Sequence, residues 1–405
     1  MQAVHKIFKS EDERFEIVRN IRTGKLLLFT QLKMVHNSPL LEFTIEPRFA
    51  DNVQLEEIYR REETHTLVYK VTLSDEISVV MKLYRIPTSQ TDKTDNTETV
   101  SNYEIEVRYL KIFTDMVQQL VCPHFTLPIG HCTLDEKQLQ SLLDHNVDIK
   151  EGTYMLLLSE CADSTFNRLL RQETLDDYAI SGILFQTVLS LYIIHDVFPS
   201  FRHNDLHLSN VLIQLLDGEA LKREVKADGV FVKYVVHGKK YYINLGKCPQ
   251  RVLLWDMYYS SINAADAKRY QLARVVPQKK QLFLTGDKTA TRSCTNQYFD
   301  LHKLFDSLEF VLSQRSKEYR EKLNPQLLSL IQKVVPPHLK CMSKGLTHKD
   351  KTDMRLWEAK HVTPKEVLRD PYFQRFTKSD PDRVVAREYI HPRLNQEKGS
   401  LSYSK

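Results

Sequence analysis

The sequence predicts an α+β chain built as two lobes, and three observations predict it. At 405 residues, 42% of them hydrophobic, the chain can bury more core than one domain usually holds. Between Val53 and Tyr84 the apolar residues come in strand-like runs, Leu67-Val68-Tyr69-Lys70-Val71 and Ile77-Ser78-Val79-Val80-Met81-Lys82-Leu83-Tyr84, joined by the turn-forming Ser74-Asp75. Further on, Ile183 to Ile194 and Tyr298 to Leu308 carry the longer apolar patterns of helices.

Composition narrows the class of partner. Against 52 acidic side chains stand 57 basic ones, a net charge of +5, and without a long basic block that balance leaves no footprint for nucleic acid. No internal repeat is visible. The six cysteines, Cys122, Cys132, Cys161, Cys248, Cys294 and Cys341, are far apart, with no CxxC and no paired His spacing of a zinc site. They are expected as reduced thiols of an intracellular protein. With Lys6, Lys9, Glu11, Asp12 and Glu13 near the start, no signal peptide is expected, and with Gln2 and the Ser-Tyr-Ser-Lys end neither of the common myristoyl and prenyl signals is expected. The most apolar helix candidate, Ile183 to Val197, is interrupted by Gln186, Thr187, Ser190, His195 and Asp196. The expectation is a soluble monomer without a membrane segment.

Residues 1–50 mix charges with short apolar runs such as Leu26-Leu27-Leu28-Phe29 and suggest no chemistry. Lys82, on the second strand, reads by itself as a solvated face residue, but its sequel changes that reading. A polar, glycine-free loop from Pro87 to Val100 leads to Ser101-Asn102-Tyr103-Glu104, the S-x-x-E form of a capping box. With Glu104 in the cap, Glu106 is left on a stripe with Leu110, Phe113 and Val117 at i, i+4, i+7 and i+11. A carboxylate on an apolar stripe is costly unless paired. Lys82 is the natural partner; an exposed Glu at the margin of the stripe is the alternative. Cys122 to Ile129 is then expected as a strand and Leu134 to Gly152 as a polar segment. Tyr154 to Leu158 reads as an apolar strand running into Ser159-Glu160-Cys161-Ala162.

The densest chemistry lies in Phe201-Arg202-His203-Asn204-Asp205-Leu206-His207-Leu208-Ser209-Asn210, followed by the strand-like Val211-Leu212-Ile213. A phosphoryl transferase needs this spacing: the acid Asp205 can accept the proton of an attacking hydroxyl while Asn210 holds a metal on the nucleotide phosphates. A surface turn rich in His, Asn, Asp and Ser is the plainer alternative. A second metal-type acid, Asp256, ends the apolar run Val252-Leu253-Leu254-Trp255, 46 positions after Asn210. One carboxylate delivered at a strand end suits Mg²⁺, and it also suits a simple turn. The interval contains Phe231 to Ile243, a hairpin turned at His237-Gly238. Asp300 opens the helix from Tyr298, a place where the helix dipole alone favours an acid.

In this order, Lys82, Glu106, Glu160, Asp205, Asn210, Asp256 and Asp300 resemble the landmarks of eukaryotic-type protein kinases, over about Val53 to Phe376. Thr363 to Phe373 is similar to the last block of that family. His207, the Gly-Lys hairpin and the Leu-Gly-Lys-Cys-Pro linker resemble haspin-like kinases and the serine/threonine kinases of large double-stranded DNA viruses. The resemblance implies a bilobal kinase fold with a small β-rich N-lobe and a larger, mainly helical C-lobe. The expected divisions are an N-terminal extension at 1–50, the N-lobe and hinge at 51–162, the C-lobe at 163–376 with a hairpin insertion at about 217–250, and a charged tail at 377–405. It also implies ATP and Mg²⁺ as cofactors, a protein serine or threonine as substrate, and action in a host cytoplasm or virion. Asp205 would be the base, and Asn210 and Asp256 the metal ligands. Lys82 would sit on the phosphates, held by Glu106. Ser159 would guard the back pocket, Glu160 and Ala162 would offer hinge backbone to adenine, and Asp300 would tie down the catalytic loop. Lys82, Asp205, Asn210 and Asp256 would then gather around one triphosphate.

Some positions depart from the family pattern. No glycine lies between Gly24 and Gly130, so the G-x-G-x-x-G loop is absent, and Arg60, Arg61 or His65 are the side chains that could replace its phosphate contacts. Met257 and Tyr258 stand where Phe and Gly are expected, and His207 where most serine/threonine kinases have Lys. Asn204 replaces the arginine that reads a phosphorylated activation loop, and no A-P-E string follows Asp256. Activity without an activation-loop phosphate is expected. A small-molecule phosphotransferase of the aminoglycoside or choline kinase type, whose loop also carries the second His, is the alternative function. A pseudokinase scaffold, suggested by the lost glycines, is a third.

Overall fold

The computed structural model describes residues 11–35, 41–61, 66–74, 77–86, 102–143, 149–215, 230–262, 298–336, 362–377 and 384–391. They divide into two compact units, Met1–Thr114 with Thr126–Cys161, and Asp115–Phe125 with Ala162–Lys405. His65, Asp75, the loop 87–100, Ser101, the Glu104 side chain, Cys294 and Cys341 lie outside the described residues. The other four cysteines form no disulfide.

In the first unit, α1 (Glu11–Arg22) precedes a small antiparallel sheet of β1 (Leu32–Met34) and β2 (Phe43–Ile45). Then come β3 (Gln54–Arg61), β4 (Thr66–Ser74), β5 (Ile77–Ile86), α2 (Asn102–Gln118), β6 (Pro128–Asp135), α3 (Glu136–Leu143) and β7 (Thr153–Glu160). Five of these strands form one antiparallel sheet in the order β3-β4-β5-β7-β6. The near-continuous apolar run of β5 fits its central place, with Val79 to Tyr84 all buried. At the edge, β3 is exposed along its whole length and carries Glu56, Glu57, Arg60 and Arg61, charges that discourage pairing with another chain.

Two expectations for the stretch from Cys122 to Gly152, whose first four residues belong to the second unit, need correction. The strand expected from Cys122 begins only at Pro128, and Phe125 makes an isolated bridge to Leu254. Pro123 has no N–H to give a ladder, whereas proline is tolerated at a strand's first residue. Within the segment expected to be merely polar, α3 buries Leu139, Leu142 and Leu143. Its signal is a capping box: Gln138 N donates to Asp135 Oδ1 at 2.8 Å, and Asp135 N donates to Gln138 Oε1 at 2.9 Å. Residues 11–50 are also less detached than an extension, since Arg14, Val18 and Ile21 of α1 are buried, as are Leu28, Phe29 and Phe43.

The second unit contains β8 (Ser164–Thr165), α4 (Phe166–Arg171), α5 (Asp177–Val197), β9 (Val211–Leu215), β10 (Val230–Val236), β11 (Lys239–Asn244) and β12 (Gln250–Leu254). It continues with α6 (Tyr298–Ser313), α7 (Lys317–Glu321), α8 (Pro325–Val334), α9 (Pro364–Val367), a 3₁₀ turn at Pro371–Phe376, and β13 (Val384–His391). At the centre is α5, started by Asp176, whose carboxylate accepts from Ala179 N at 2.7 Å. The helix is long and apolar enough to cross a membrane, and 89% of that window is buried inside the protein, as expected of a core helix. Gly182 lets the chain at Cys248 approach closely, because a Cβ there would stand 2.5 Å from the thiol sulfur. Phe185 packs on Phe373 and Phe376 of the 3₁₀ turn, with ring centroids 5.8 and 5.1 Å away.

Two three-stranded sheets complete this unit. One has the order β12-β9-β8 and is antiparallel; the other is β11-β10-β13, with β13 parallel to β10. The hairpin turns at His237 and Gly238, whose φ values of 48° and 82° are both positive, as a tight two-residue turn requires. Strand β13 corrects the expectation of a charged tail, for Tyr389 and His391 are buried while Ile390 between them is exposed. That two-residue period is short and interleaved with charges, so composition alone hides it.

His195, in the last turn of α5, is buried, and this pushes its imidazole down to about 4 against the opposing pull of Asp300 and its hydrogen bond to Phe201 O. The ring is neutral in the fold and donates Nε2–H to that carbonyl at 3.0 Å. Between 6.5 and about 4 the unfolded chain takes up a proton that the folded chain refuses. The stabilisation is complete above the unfolded value and is lost as pH falls toward 4. His195→Gln is expected to remove roughly 3 kcal/mol of the stability lost between neutral and acid pH, read from urea midpoints. Superimposable pH profiles for the two proteins would refute this.

Candidate active site

In the first unit the site residues stand on the central strand and the helix that follows it. Lys82 lies mid-strand on β5, opposite Val68 of β4 and Leu157 of β7, and its side chain is only 7% exposed. A buried ammonium needs a counter-charge, and Nζ lies 3.3 and 3.2 Å from the two carboxylate oxygens of Glu106. Glu106 is fully buried, as are Leu110, Phe113 and Val117 along the same stripe of α2. Tyr84, two residues beyond Lys82 and so on the same face of β5, donates its hydroxyl to Glu106 Oε2. Its ring lies under the ammonium, 4.8 Å from Nζ to the centroid. Lys82 is thus held by a carboxylate and a ring.

Strand β7 leads into the segment expected to be a hinge. Ser159 and Glu160 are buried, and Ala162, just beyond the strand, is half-buried. The Glu160 backbone N–H donates to Leu127 O at 2.9 Å. Its carboxylate accepts Leu127 N at 2.7 Å and forms a two-pronged pair with Arg14, whose Nε is 2.9 Å from Oε2 and whose Nη2 meets Oε1. Arg14 belongs to residues for which no chemistry was expected. Arg60, a candidate for replacing the absent glycine loop, forks onto Glu57 at 3.0 and 2.7 Å on the exposed strand β3.

In the second unit the register of one strand pair does the placing. Leu254 of β12 pairs with Val211 of β9, so Trp255 and Asp256 leave the sheet at the end where Asn210 enters it, and Trp255 N donates to Asn210 O at 3.3 Å. Asp256 is held in the left-handed region, φ 64° and ψ 60°, which non-glycine residues rarely adopt and which marks functional sites. Met257, in the expected Phe position, is fully buried and opens a 3₁₀ turn, Met257–Tyr259. Asn210 Nδ2 donates to Asp205 O at 2.8 Å, tying the amide to the acid across the loop. An amide oxygen and a carboxylate are hard oxygen donors, the set that Mg²⁺ prefers.

The loop is fixed from α6. Asp300 accepts His203 N at 2.7 Å and Asn204 N at 2.9 Å, and His203 Nε2–H donates to Trp255 O at 2.8 Å. One turn along the same face of α6, Lys303 donates to Asp205 Oδ1 and, at 3.2 Å, to Asn204 O. Its contact with Asp205 was missed from sequence, although Asp300-x-x-Lys303 carried the signal: once Asp300 is assigned to the loop, a residue three further on faces it too. His207 Nδ1 accepts Ser209 N at 3.2 Å, and Nε2 is 3.8 Å from Asp205 Oδ2. Burial pushes the His207 imidazole down; Asp205 pulls it up, while Lys303 and His203 lower it further.

Lys82 with Glu106, and Asp205 with Asn210 and Asp256, are therefore each brought together within their own unit. No known family model matches the chain. Two proteins of Acanthamoeba polyphaga mimivirus, each named "Putative serine/threonine-protein kinase", are similar to it. One is 23% identical over 318 residues, 72% of this chain and 61% of the relative. The other is 25% identical over 224 residues, 50% of this chain and 52% of the relative. The relationship is kinase-like. The chain spans between 52% and 61% of the length of these relatives, and its α+β architecture, with the large sheet early and most helices later, is consistent with that likeness.

The Arg14–Glu160 pair makes a prediction about stability. Both side chains are nearly inaccessible, at 0% and 2%, so Arg14→Met leaves a carboxylate buried without its cation and is expected to cost about 3–5 kcal/mol in denaturant unfolding. Adding Glu160→Gln, which still accepts from Leu127 N, should recover at least half of that loss. A single variant as stable as the parent would show that the pair contributes little.

Proposed function

We propose that the protein is an ATP- and Mg²⁺-dependent protein kinase that transfers the γ-phosphate to serine or threonine hydroxyls, acting inside the cell. The observation that carries this reading is the loop in which Asp205, Asn210 and Asp256 converge at one end of the β9–β12 pair while Asp300 holds the loop backbone. The kinase names of the two mimivirus relatives support it. Asp205 is the base for the attacking hydroxyl, and Lys82, steadied by Glu106 and Tyr84, neutralises nucleotide phosphate. Asn210 and Asp256 are the residues that would hold Mg²⁺, whose chemistry is to neutralise charge on the phosphates. Glu160 and Ala162 offer backbone to the adenine edge. Lys303 brings to Asp205 the cation that position 207 lacks in this chain.

Incubation with γ-labelled ATP, Mg²⁺ and mixed protein acceptors tests the reading. Asp205→Asn and Lys82→Met are each expected to lower kcat by roughly 10²–10⁴-fold with the fold intact. Label in a small alcohol but in no protein would favour the small-molecule phosphotransferase. A wild-type chain that transfers nothing to any acceptor would favour a scaffold.

Lys303 has its own test. Lys303→Met is expected to lower kcat about tenfold or more while KM for ATP stays within about twofold, and Lys303→Arg, which keeps the charge, to restore part of the rate. An unchanged kcat in Lys303→Met would remove Lys303 from the proposal.

A further inference from the structure

Away from this loop, three side chains distant in sequence converge in the second unit. Asp196 lies in the last turn of α5, His237 is the first turn residue of the β10–β11 hairpin, and His391 ends β13. His391 Nε2 is 2.9 Å and His237 Nε2 3.5 Å from the same oxygen, Asp196 Oδ2, and the three ligand atoms all lie within 4.8 Å of one another. The two imidazole planes stand at 87° with centroids 5.3 Å apart, edge to face rather than stacked.

We propose that Asp196, His237 and His391 form a binding site for a divalent transition-metal ion of the zinc class. Tetrahedral Zn²⁺ with nitrogen and oxygen ligands at about 2.0–2.2 Å places those ligands about 3.3 Å apart. The separations of 2.9 and 3.5 Å from Asp196 Oδ2 bracket that edge, and the third, between the imidazole ligand atoms, lies within 4.8 Å. Two imidazoles and one carboxylate select zinc, cobalt or nickel over magnesium or calcium, which take all-oxygen sets. His391 Nε2–H donates to Asp196 Oδ2 at 2.9 Å, so a metal would take the place of that proton between the two atoms, and the ring's proton would move to Nδ1. Asp196 and His237 are each about one quarter exposed, at 26% and 24%, while His391 and the His237 Nε2 atom are buried. A bound ion would fasten the hairpin tip and the terminal strand to the core helix.

The test uses the full chain, stripped with chelator and titrated with Co²⁺. The expected result is about one equivalent bound, with visible ligand-field bands of four-coordinate strength, displaced by Zn²⁺. Excess Zn²⁺ should raise the unfolding temperature by on the order of 5 °C. His237→Asn keeps a residue that tolerates the left-handed turn, so it should fold and yet bind at least about tenfold more weakly. Asp196→Asn should behave likewise. Failure of the wild type to bind Co²⁺ would overturn the proposal, leaving a hydrogen-bonded His–Asp–His cluster. The same bands persisting in His237→Asn would also overturn it, by placing the metal elsewhere.

Discussion

The Asp300 carboxylate, 1% exposed, accepts the backbone N–H groups of His203 and Asn204 at 2.7 and 2.9 Å, and the shape of the loop down to Asn210 follows from it. A buried carboxylate is tolerable only with donors on it, and here both oxygens find one. Those bonds hold Asn204 at φ 63°, a strained conformation that asparagine bears better than most side chains. With the backbone so fixed, the His203 ring reaches Trp255 O, and the exit of β12 is tied to the loop as well. Asp256, also left-handed, is thus placed by the neighbours on which its strand depends. Each such residue costs about 1–3 kcal/mol, which the surrounding network has to offset.

The first unit solves a comparable problem by other means. Lys82 sits in the centre of a five-stranded sheet where neither face is open water, so its charge is sustained by Glu106 and by the ring of Tyr84. The pair is a product of two periodicities. A two-residue period puts Lys82 and Tyr84 on one face of β5, and the helical period puts Glu106 in line with Leu110, Phe113 and Val117 of α2.

Those periodicities explain what could be read in advance. Lys82, Glu106, the β4 and β5 strands, and the turn at His237 and Gly238 each follow from a pattern within one element or from a short loop of known spacing, whereas the Asp300 clamp is legible only through the family resemblance. Arg14, Lys303, Asp196 and His391 do not, because each matters through a partner on a distant element, and nothing local distinguishes such a residue from a solvated charge. Strand β13 was hidden for a related reason: its parallel pairing with β10 depends on a partner about 150 residues away, so its own eight residues carry only a short alternation. The start of β6 at Pro128 departs from the sequence expectation on different grounds, since an apolar run specifies burial but a proline within it decides where the ladder can begin.

The position after Leu206 shows how such a long-range partner changes the chemistry. A lysine there would bring a cation next to Asp205; this chain has His207 instead. Burial lowers the His207 imidazole below its ordinary range, and Lys303 lowers it further against the opposing pull of Asp205, so at neutral pH the ring is an uncharged neighbour that accepts from Ser209 rather than a substitute cation. The charge beside Asp205 comes from Lys303, one helical turn beyond the residue that fixes the loop backbone. The two effects reinforce each other: a lysine supplied from α6 makes a protonated His207 unfavourable, and a neutral His207 leaves the carboxylate's second oxygen unencumbered by another strong cation. In this arrangement one helix sets both the geometry of the loop, through Asp300, and its electrostatics, through Lys303. A displacement of α6 would therefore disturb the position of Asp205 and its charge balance together.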